Sequence, residues 1–358
     1  MTLAEKIKQR ARALGFSAVG ISEAKELVEE ARRLEAWLEA GMHGEMHYME
    51  ENFDKRVNPK KLMPECQSVV SVIANYYTPT KHETPRHSRA HNRAANKNEA
   101  YKEEKAQRAE KREKRMLRDK SEPWRGRISI YATRADYHMV LKQKLLELFD
   151  YITELVGEVN GRAFVDSAPM LDKAWAARAG LGWIGKHTNL INREIGSYFF
   201  IGSLLLDCKL DVDTPMPKNY CGTCTACIDL CPTKAIVAPY QVDARKCISY
   251  LTIELKRNFT QEEKTMLGEW LFGCDICQEV CPWTRFSKPT ELLEFASKPE
   301  LEALSEREIL EMTKSSFRRI FGETPVFRTG LRRLKRNAEA VQENLSGMKI
   351  SENEATQP

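Results

Sequence analysis

The sequence predicts an α+β protein. Three observations lead there: strand-like runs interleave with helical periodicities over the first two-thirds, a cysteine-rich module occupies about 215–285, and the last 70 residues read as helical. The expected parts are an α/β domain over 1–214 with a charged insertion at about 81–120, the cysteine-rich domain at 215–285, a helical segment at 286–345, and a disordered polar tail at 346–358.

The elements follow in order. Thr2 and Glu5 form a capping box, Ile7, Ala11 and Leu14 line one helical face, and Gly15 ends that helix. AVGIS (18–22) reads as a strand, and Leu27, Ala31, Leu34 and Leu38 keep helical spacing. SVVSVIANYY (68–77) and RISIYA (127–132) are strand-like by their β-branched and aromatic content. A helix runs from Tyr137 to about Val156 with Asp136 as its N-cap, RAFVD (162–166) is a strand, and Met170 to Ala179 is a helix stopped by Gly180. The longest apolar run, Tyr198 to Leu206, is strand-sized, against the roughly 20 residues a membrane span needs. With no secretory character at the N-terminus, the expectation is a cytoplasmic monomer without a membrane partner.

The net charge of +5 belongs to one segment. Residues 81–120 carry 14 Lys+Arg against 7 Asp+Glu, and the rest of the chain has 42 basic and 44 acidic residues. Polar all round if helical, the stretch is either a solvated arm or a segment that folds on meeting a partner.

Eight of the ten cysteines cluster. Disulfides are disfavoured in a chain this long without a signal peptide. Zinc suits CxxC pairs, but a tetrahedral site has no use for C-x2-C-x2-C-x3-C-P, which CGTCTACIDLCP (221–232) contains. The run matches the bacterial ferredoxin pattern, in which three thiolates bind one 4Fe–4S cluster and the fourth crosses to its neighbour. CDICQEVCP (274–282) supplies only three more, because Leu271 stands where a fourth belongs, and Cys247 fills the vacancy. The expected ligands are Cys221, Cys224, Cys227 and Cys281 for one cluster, and Cys231, Cys247, Cys274 and Cys277 for the other. Cys66 and Cys208 read as small buried hydrophobes.

Two motifs fail on context. GLGWIGK (180–186) satisfies G-x-G-x-x-G, yet a helix rather than a strand precedes it, so the glycines serve tight turns instead of a dinucleotide. DYHMVL (136–141) is close to the cobalt-histidine signature D-x-H-x-x-G, but Leu141 takes the glycine position and Asp136 is better read as an N-cap.

FDKRVNPKKLMP (53–64), ISIYATRADYH (128–138), VDSAPMLDKAWAARAGLGWIGKHTNLI (165–191), GSYFFIG (196–202), CGTCTACIDLCPTKAI, CISYLTIELKR (247–257) and FGCDICQEVCPW (272–283) together resemble the epoxyqueuosine reductase family, in order, over about residues 1–340. That family is cobalamin-dependent and related to corrinoid reductive dehalogenases. It reduces the epoxide of epoxyqueuosine at the tRNA wobble position, the last step of queuosine synthesis. The resemblance implies a nitroreductase-like cobalamin-binding domain followed by a ferredoxin-type domain with two 4Fe–4S clusters. It also implies an external low-potential electron donor and, as partner, a tRNA with a queuosine-type wobble base. It makes Asp166 the proton donor, with a pKa raised by burial. It places Arg56, Ser129, Asp166, His187, Leu190, Ile201, Ser249, Cys274 and Asp275 around the cobalamin. Ser129 stands where some relatives carry cysteine, which implies a base-off corrin, and His187 where many carry asparagine. Lys256 and Arg257, with RRLKRN (332–337), supply positive surface for tRNA phosphates.

Two other functions compete with this one. A corrinoid reductase of a small molecule such as an organohalide would ordinarily carry a twin-arginine export signal. A non-catalytic ferredoxin-like carrier would leave the 214 residues ahead of the clusters without a role.

Overall fold

The computed structural model describes residues 1–79, 126–296, 298–302 and 304–355. The charged stretch at 81–120 lies outside them. Residues 1–78 and 126–358 form one compact unit.

The N-terminal helix α1 (Leu3–Ala13) carries the expected Thr2/Glu5 capping box, and Gly15 leaves it at a φ of +93°. Strand β1 (Ala18–Glu23) follows, then α2 (Val28–Glu39), α3 (Phe53–Val57) and β2 (Ser68–Asn75). Chain order continues with β3 (Arg127–Ile128), α4 (Tyr137–Val156), β4 (Gly161–Phe164), α5 (Asp172–Arg178), the short hairpin strands β5 (Trp183–Ile184) and β6 (Leu190–Ile191), and β7 (Phe199–Leu206).

Among the described residues, β1, β2, β7 and β4 form a four-stranded sheet in that order. Every pairing in it is antiparallel, so the expected α/β domain is built on an antiparallel sheet instead. Both its faces are covered, which is why β2 and β7 read as continuous apolar runs. Val70, Val72 and Ala74 of β2 face Ile7 and Ala11 of α1 and Leu141, Leu145 and Leu148 of α4. Val69 packs with Trp175, and Ile73 with Ala176, both on α5 across the other face. Cys66 and Cys208 behave as read: Cys66 is fully buried in the second core, and Cys208 packs at the edge of the first.

RISIYA is a strand only over its first two residues, and Ile130–Thr133 turns as a 3-10 helix. The cause is local: the Ile130 N–H, which a neighbouring strand would need, donates to the Asp275 carboxylate at 2.8 Å.

The cysteine-rich module contributes α6 (Ala226–Asp229), β8 (Ile236–Ala238), β9 (Gln241–Val242), α7 (Ile248–Ile253), α8 (Gln261–Leu267), β10 (Trp270–Phe272) and α9 (Ile276–Glu279). β10 pairs in parallel with β3, so backbone hydrogen bonds join the segments that the sequence reads as separate domains. Helices α10 (Pro299–Glu302), α11 (Glu306–Glu311), α12 (Lys314–Phe321) and α13 (Leu331–Ala355) complete the chain. Helix α13 runs on into the stretch expected to be a disordered tail, since extending a helix already nucleated by packed residues costs little.

Candidate functional site

The eight clustered cysteines fall into two groups. Burial, then the nearby thiols of Cys281, Cys224 and Cys221, push Cys227 up to about 12. Burial likewise raises Cys281 to about 11, with Cys221 and Cys224 adding to it. In the other group burial holds Cys277 well above its ordinary value, reinforced by Cys274 and Cys247, and Cys247 is raised by burial and by Cys231. Cys277 also feels Cys227, so the groups are neighbours. Crowding and burial disfavour the thiolates here, and a bound cation would reverse that preference. Local structure explains the positions. Cys227 and Cys277 ride the short helices α6 and α9, whose Ile276 and Val280 share one small core with Ile236, Ile248 and Trp270. Leu271, at the vacancy, is fully buried.

Cys231, Cys247, Cys274 and Cys277 line a cavity of about 240 Å³ together with Ser129, Ser249, Asp275 and His187. Four predicted cobalamin contacts thus share a wall with one group of thiols. The hydroxyl of Ser129 donates to the Asp275 carboxylate, which burial and Glu279 push up to about 6 against the pull of that bond.

Asp166 follows the end of β4 with a φ of +53°, a left-handed conformation that costs a non-glycine residue roughly 1–3 kcal/mol. Its side chain keeps 62% of its surface open. Two neighbours hold it: the Tyr137 hydroxyl donates to Oδ2 at 2.5 Å, and His138 Nε2 lies 3.4 Å from the same oxygen. The other ring nitrogen of His138 meets Asp136 Oδ1 at 2.6 Å, and Arg328 Nε meets the second oxygen of Asp136 at 3.1 Å. Asp136 is the N-cap of α4, as the sequence indicates, its side chain accepting from the His138 N–H.

Among the protein's own side chains the balance at Asp166 is downward. Burial pushes up, but the bonds from His138 and Tyr137 and the charge of Lys173 carry the carboxyl below its ordinary value. Bonds from the Asp136 and Asp166 carboxylates raise His138 against a burial cost. Burial does raise the neighbouring carboxyl of Asp172, to about 7, with Asp166 as the second cause. Lys173, beside it on α5, donates to the Thr188 carbonyl and to Asn189 Oδ1 and feels the charge of Asp166, Cys277 and Cys247.

Arg56 is buried, donating to the Tyr48 carbonyl at 2.5 Å and lying 5.7 Å over the Tyr48 ring. Its Nε, and Nε2 of buried His187, have no partner among the described residues. His187 lines the thiol cavity, and two such open donors suit a ligand rich in amide acceptors, as the corrin side chains are. Leu190 and Ile201 pack in the core below β7, Leu190 buried and Ile201 part-exposed. Neither lines the thiol cavity.

The glycines of GLGWIGK do turn the backbone. Gly180 has a φ of +77°, and a Cβ on Gly182 would stand 2.2 Å from the Ile191 carbonyl oxygen across the β5–β6 hairpin.

The basic residues part company. Lys256 is exposed, whereas Arg257 forms a two-bond pair with Glu263 at 2.6 and 2.7 Å and a second pair with Glu45 at 3.2 Å. In RRLKRN, Arg333 donates to the Ile253 carbonyl and Arg336 to those of Leu251 and Leu255. Buried Asn337 reaches the Thr252 and Leu271 carbonyls at 2.8 and 2.9 Å. These side chains satisfy the C-terminal carbonyls of α7, the helix for which Cys247 is the N-cap.

Sequence reasoning missed Tyr137, His138, Lys173, Asp172 and Tyr48. The available signal was their place in the quoted stretches: ADYH holds the first two and LDK the next two.

The chain is similar to known proteins. The family model described as "Epoxyqueuosine reductase QueG, DUF1730" matches residues 56–167, and the "4Fe-4S double cluster binding domain" model matches 220–284. An epoxyqueuosine reductase of Cellulophaga algicola is 46% identical over 94% of this chain and 97% of its own length. One from Escherichia coli is 38% identical, covering 94% of this chain and 79% of its own. A crystal structure of epoxyqueuosine reductase with a tRNA-Tyr epoxyqueuosine-modified tRNA stem loop superposes with a TM-score of 0.80 at 27% identity, over 96% of this chain and 81% of that one. The enzyme from Streptococcus thermophilus gives 0.78 at 27% identity, over 100% and 87%. With close relatives of this kind along nearly its whole length, the chain belongs to the epoxyqueuosine reductase family.

Proposed function

We propose that this protein reduces the epoxide of epoxyqueuosine at the wobble position of tRNA to the alkene of queuosine, as an oxidoreductase with two 4Fe–4S clusters and base-off cobalamin. The observation that supports the reading is the placement of Asp166: its side chain is largely open and in contact with Tyr137 and His138, and Lys173 feels both its charge and that of the second group of thiols.

Loss of the epoxide oxygen as water takes two electrons and two protons. Cobalamin supplies the carbon-directed reduction, and the clusters supply single electrons at low potential. The chain's own residues do the rest. Cys221, Cys224, Cys227 and Cys281 hold one cluster, and Cys231, Cys247, Cys274 and Cys277 the other. Arg56 and His187 offer their open nitrogens to the corrin periphery, while Ser129, Ser249 and Asp275 line its edge. Asp166 protonates the departing oxygen. Its lowered pKa makes it a relay more than a store, with the raised His138 imidazolium holding the proton and Tyr137 fixing the carboxylate. Arg257 is engaged by two carboxylates, so Lys256 is the freer of the two expected phosphate contacts. A cytoplasmic location follows from a tRNA substrate, and no helix among the described residues is long and apolar enough to cross a membrane.

The test is direct. Anaerobic holoprotein with cobalamin, a reductant and tRNA bearing epoxyqueuosine should give a nucleoside lighter by one oxygen. Cobalamin and clusters present but no mass loss would overturn the reading.

A further inference from the structure

We infer that the groove formed by Arg193, Glu194, Arg285, Phe286 and Lys288 is the docking surface of an acidic, low-potential one-electron carrier. The inference rests on the proposed function, which requires electrons from outside the chain.

The two thiol groups are not equivalent in position. Cys231, Cys247, Cys274 and Cys277 line the cavity shared with Ser129, His187, Ser249 and Asp275, so theirs is the inner group. The other group backs onto an aromatic cluster: Trp183 and Trp283 meet edge to face at 4.8 Å, and both pack with Cys281 and Cys221. From Trp283 the rings continue outward, to Phe286 at 5.3 Å and Tyr220 at 6.0 Å. Tyr220 and Phe286 keep 36% and 37% of their surface exposed. Large rings left in water over a cluster are the kind of anchor that a protein interface buries.

Charge surrounds these rings. Arg193 lies 5.8 Å over Tyr220 and Arg285 4.7 Å over Phe286. With Lys288 and Glu194 they line an open groove of about 520 Å³ bearing three cations to one carboxylate. Such a field steers an acidic partner into encounter and fixes its orientation, while a small contact area lets it leave after delivery. Each visit moves one electron: the carrier is oxidised by one electron and the outer cluster reduced by one, with no bond made or broken. An RNA would also favour the cations, and its bases stack on such rings; the carrier is preferred because the rings lead through Trp283 to the Cys281 and Cys221 group.

The experiment follows cluster reduction by visible absorbance in stopped flow, using holoprotein without tRNA. It therefore reads the same whether or not the protein turns over epoxyqueuosine. The probe is an acidic flavodoxin in its fully reduced form, compared with reduced methyl viologen, a small cationic reductant. For Arg193→Glu/Arg285→Glu/Lys288→Glu, the flavodoxin rate should fall at least about tenfold while the viologen rate holds or rises. The wild-type flavodoxin rate should drop with added salt. An unchanged flavodoxin rate overturns the inference. So does a loss of tRNA stem-loop binding by the variant with its flavodoxin rate intact, which would make the groove an RNA surface. If both reductants slow together, the milder Arg285→Gln/Lys288→Gln decides: a selective fall with flavodoxin supports docking, and no selective fall overturns it.

Discussion

Asp166 gathers most of the chemistry into a few ångströms. Asp166→Asn should lower epoxide reduction by about 100-fold or more while cluster and cobalamin spectra stay intact, measured by nucleoside mass under single turnover. His138 sets the pH dependence. Its folded pKa lies above its ordinary value, so its interaction with the two carboxylates is complete below about pH 6.5 and is lost as pH rises through the raised value. Turnover should decline along that alkaline limb, and His138→Gln should remove the limb and lower the maximum. For Asp166 the sign is opposite: its lowered pKa keeps the carboxylate interaction present above the ordinary carboxylate range and loses it in acid. The motif made Asp166 legible in the sequence. Its pKa was not, because the compensating hydrogen bonds come from Tyr137 and His138, on an element 28 or more residues away in the chain. The rise expected from burial is real but outweighed.

Among the elements, α7 shows how cysteine placement is enforced from a distance. Cys247 caps its start, and Arg333, Arg336 and Asn337 of α13 satisfy its end. Asn337→Ala should strand two buried carbonyls and cost about 2–3 kcal/mol in urea unfolding of the holoprotein. Cys247→Ala should halve the iron per chain, leaving the spectrum of the outer cluster. If all iron is lost, or none, the division of ligands is wrong. Counting made Cys247 the candidate for the eighth ligand, since arithmetic on cysteines needs no geometry. RRLKRN, by contrast, reads as surface charge, because a sequence does not say which arginines fold back onto carbonyls.

Across the molecule, helix and strand were legible wherever an amphipathic period or a buried run fixed them, as in α4 and β2. The antiparallel sheet order was not legible, because β7 inserts between β2 and β4 from far along the chain. Nor was the β3–β10 pair, two short strands recognisable only once both are side by side. That pair and α13 tie the cysteine module to the rest. Stripping iron with a chelator should therefore lower the melting temperature of the whole compact unit in a single transition, as crowded thiols lose the cations that reconcile them. Two separated transitions would show the module unfolding independently.

Lys173 adds a thermodynamic consequence. Its ammonium answers to Asp166 on one side and to Cys277 and Cys247 on the other. An electron settling on the inner cluster adds negative charge there, and that raises the affinity of the shared neighbourhood for protons. By reciprocity, a proton at Asp166 makes the same cluster easier to reduce. On the proposed reading, electron and proton supply are coupled across that neighbourhood, so reduction of the inner cluster favours a protonated Asp166.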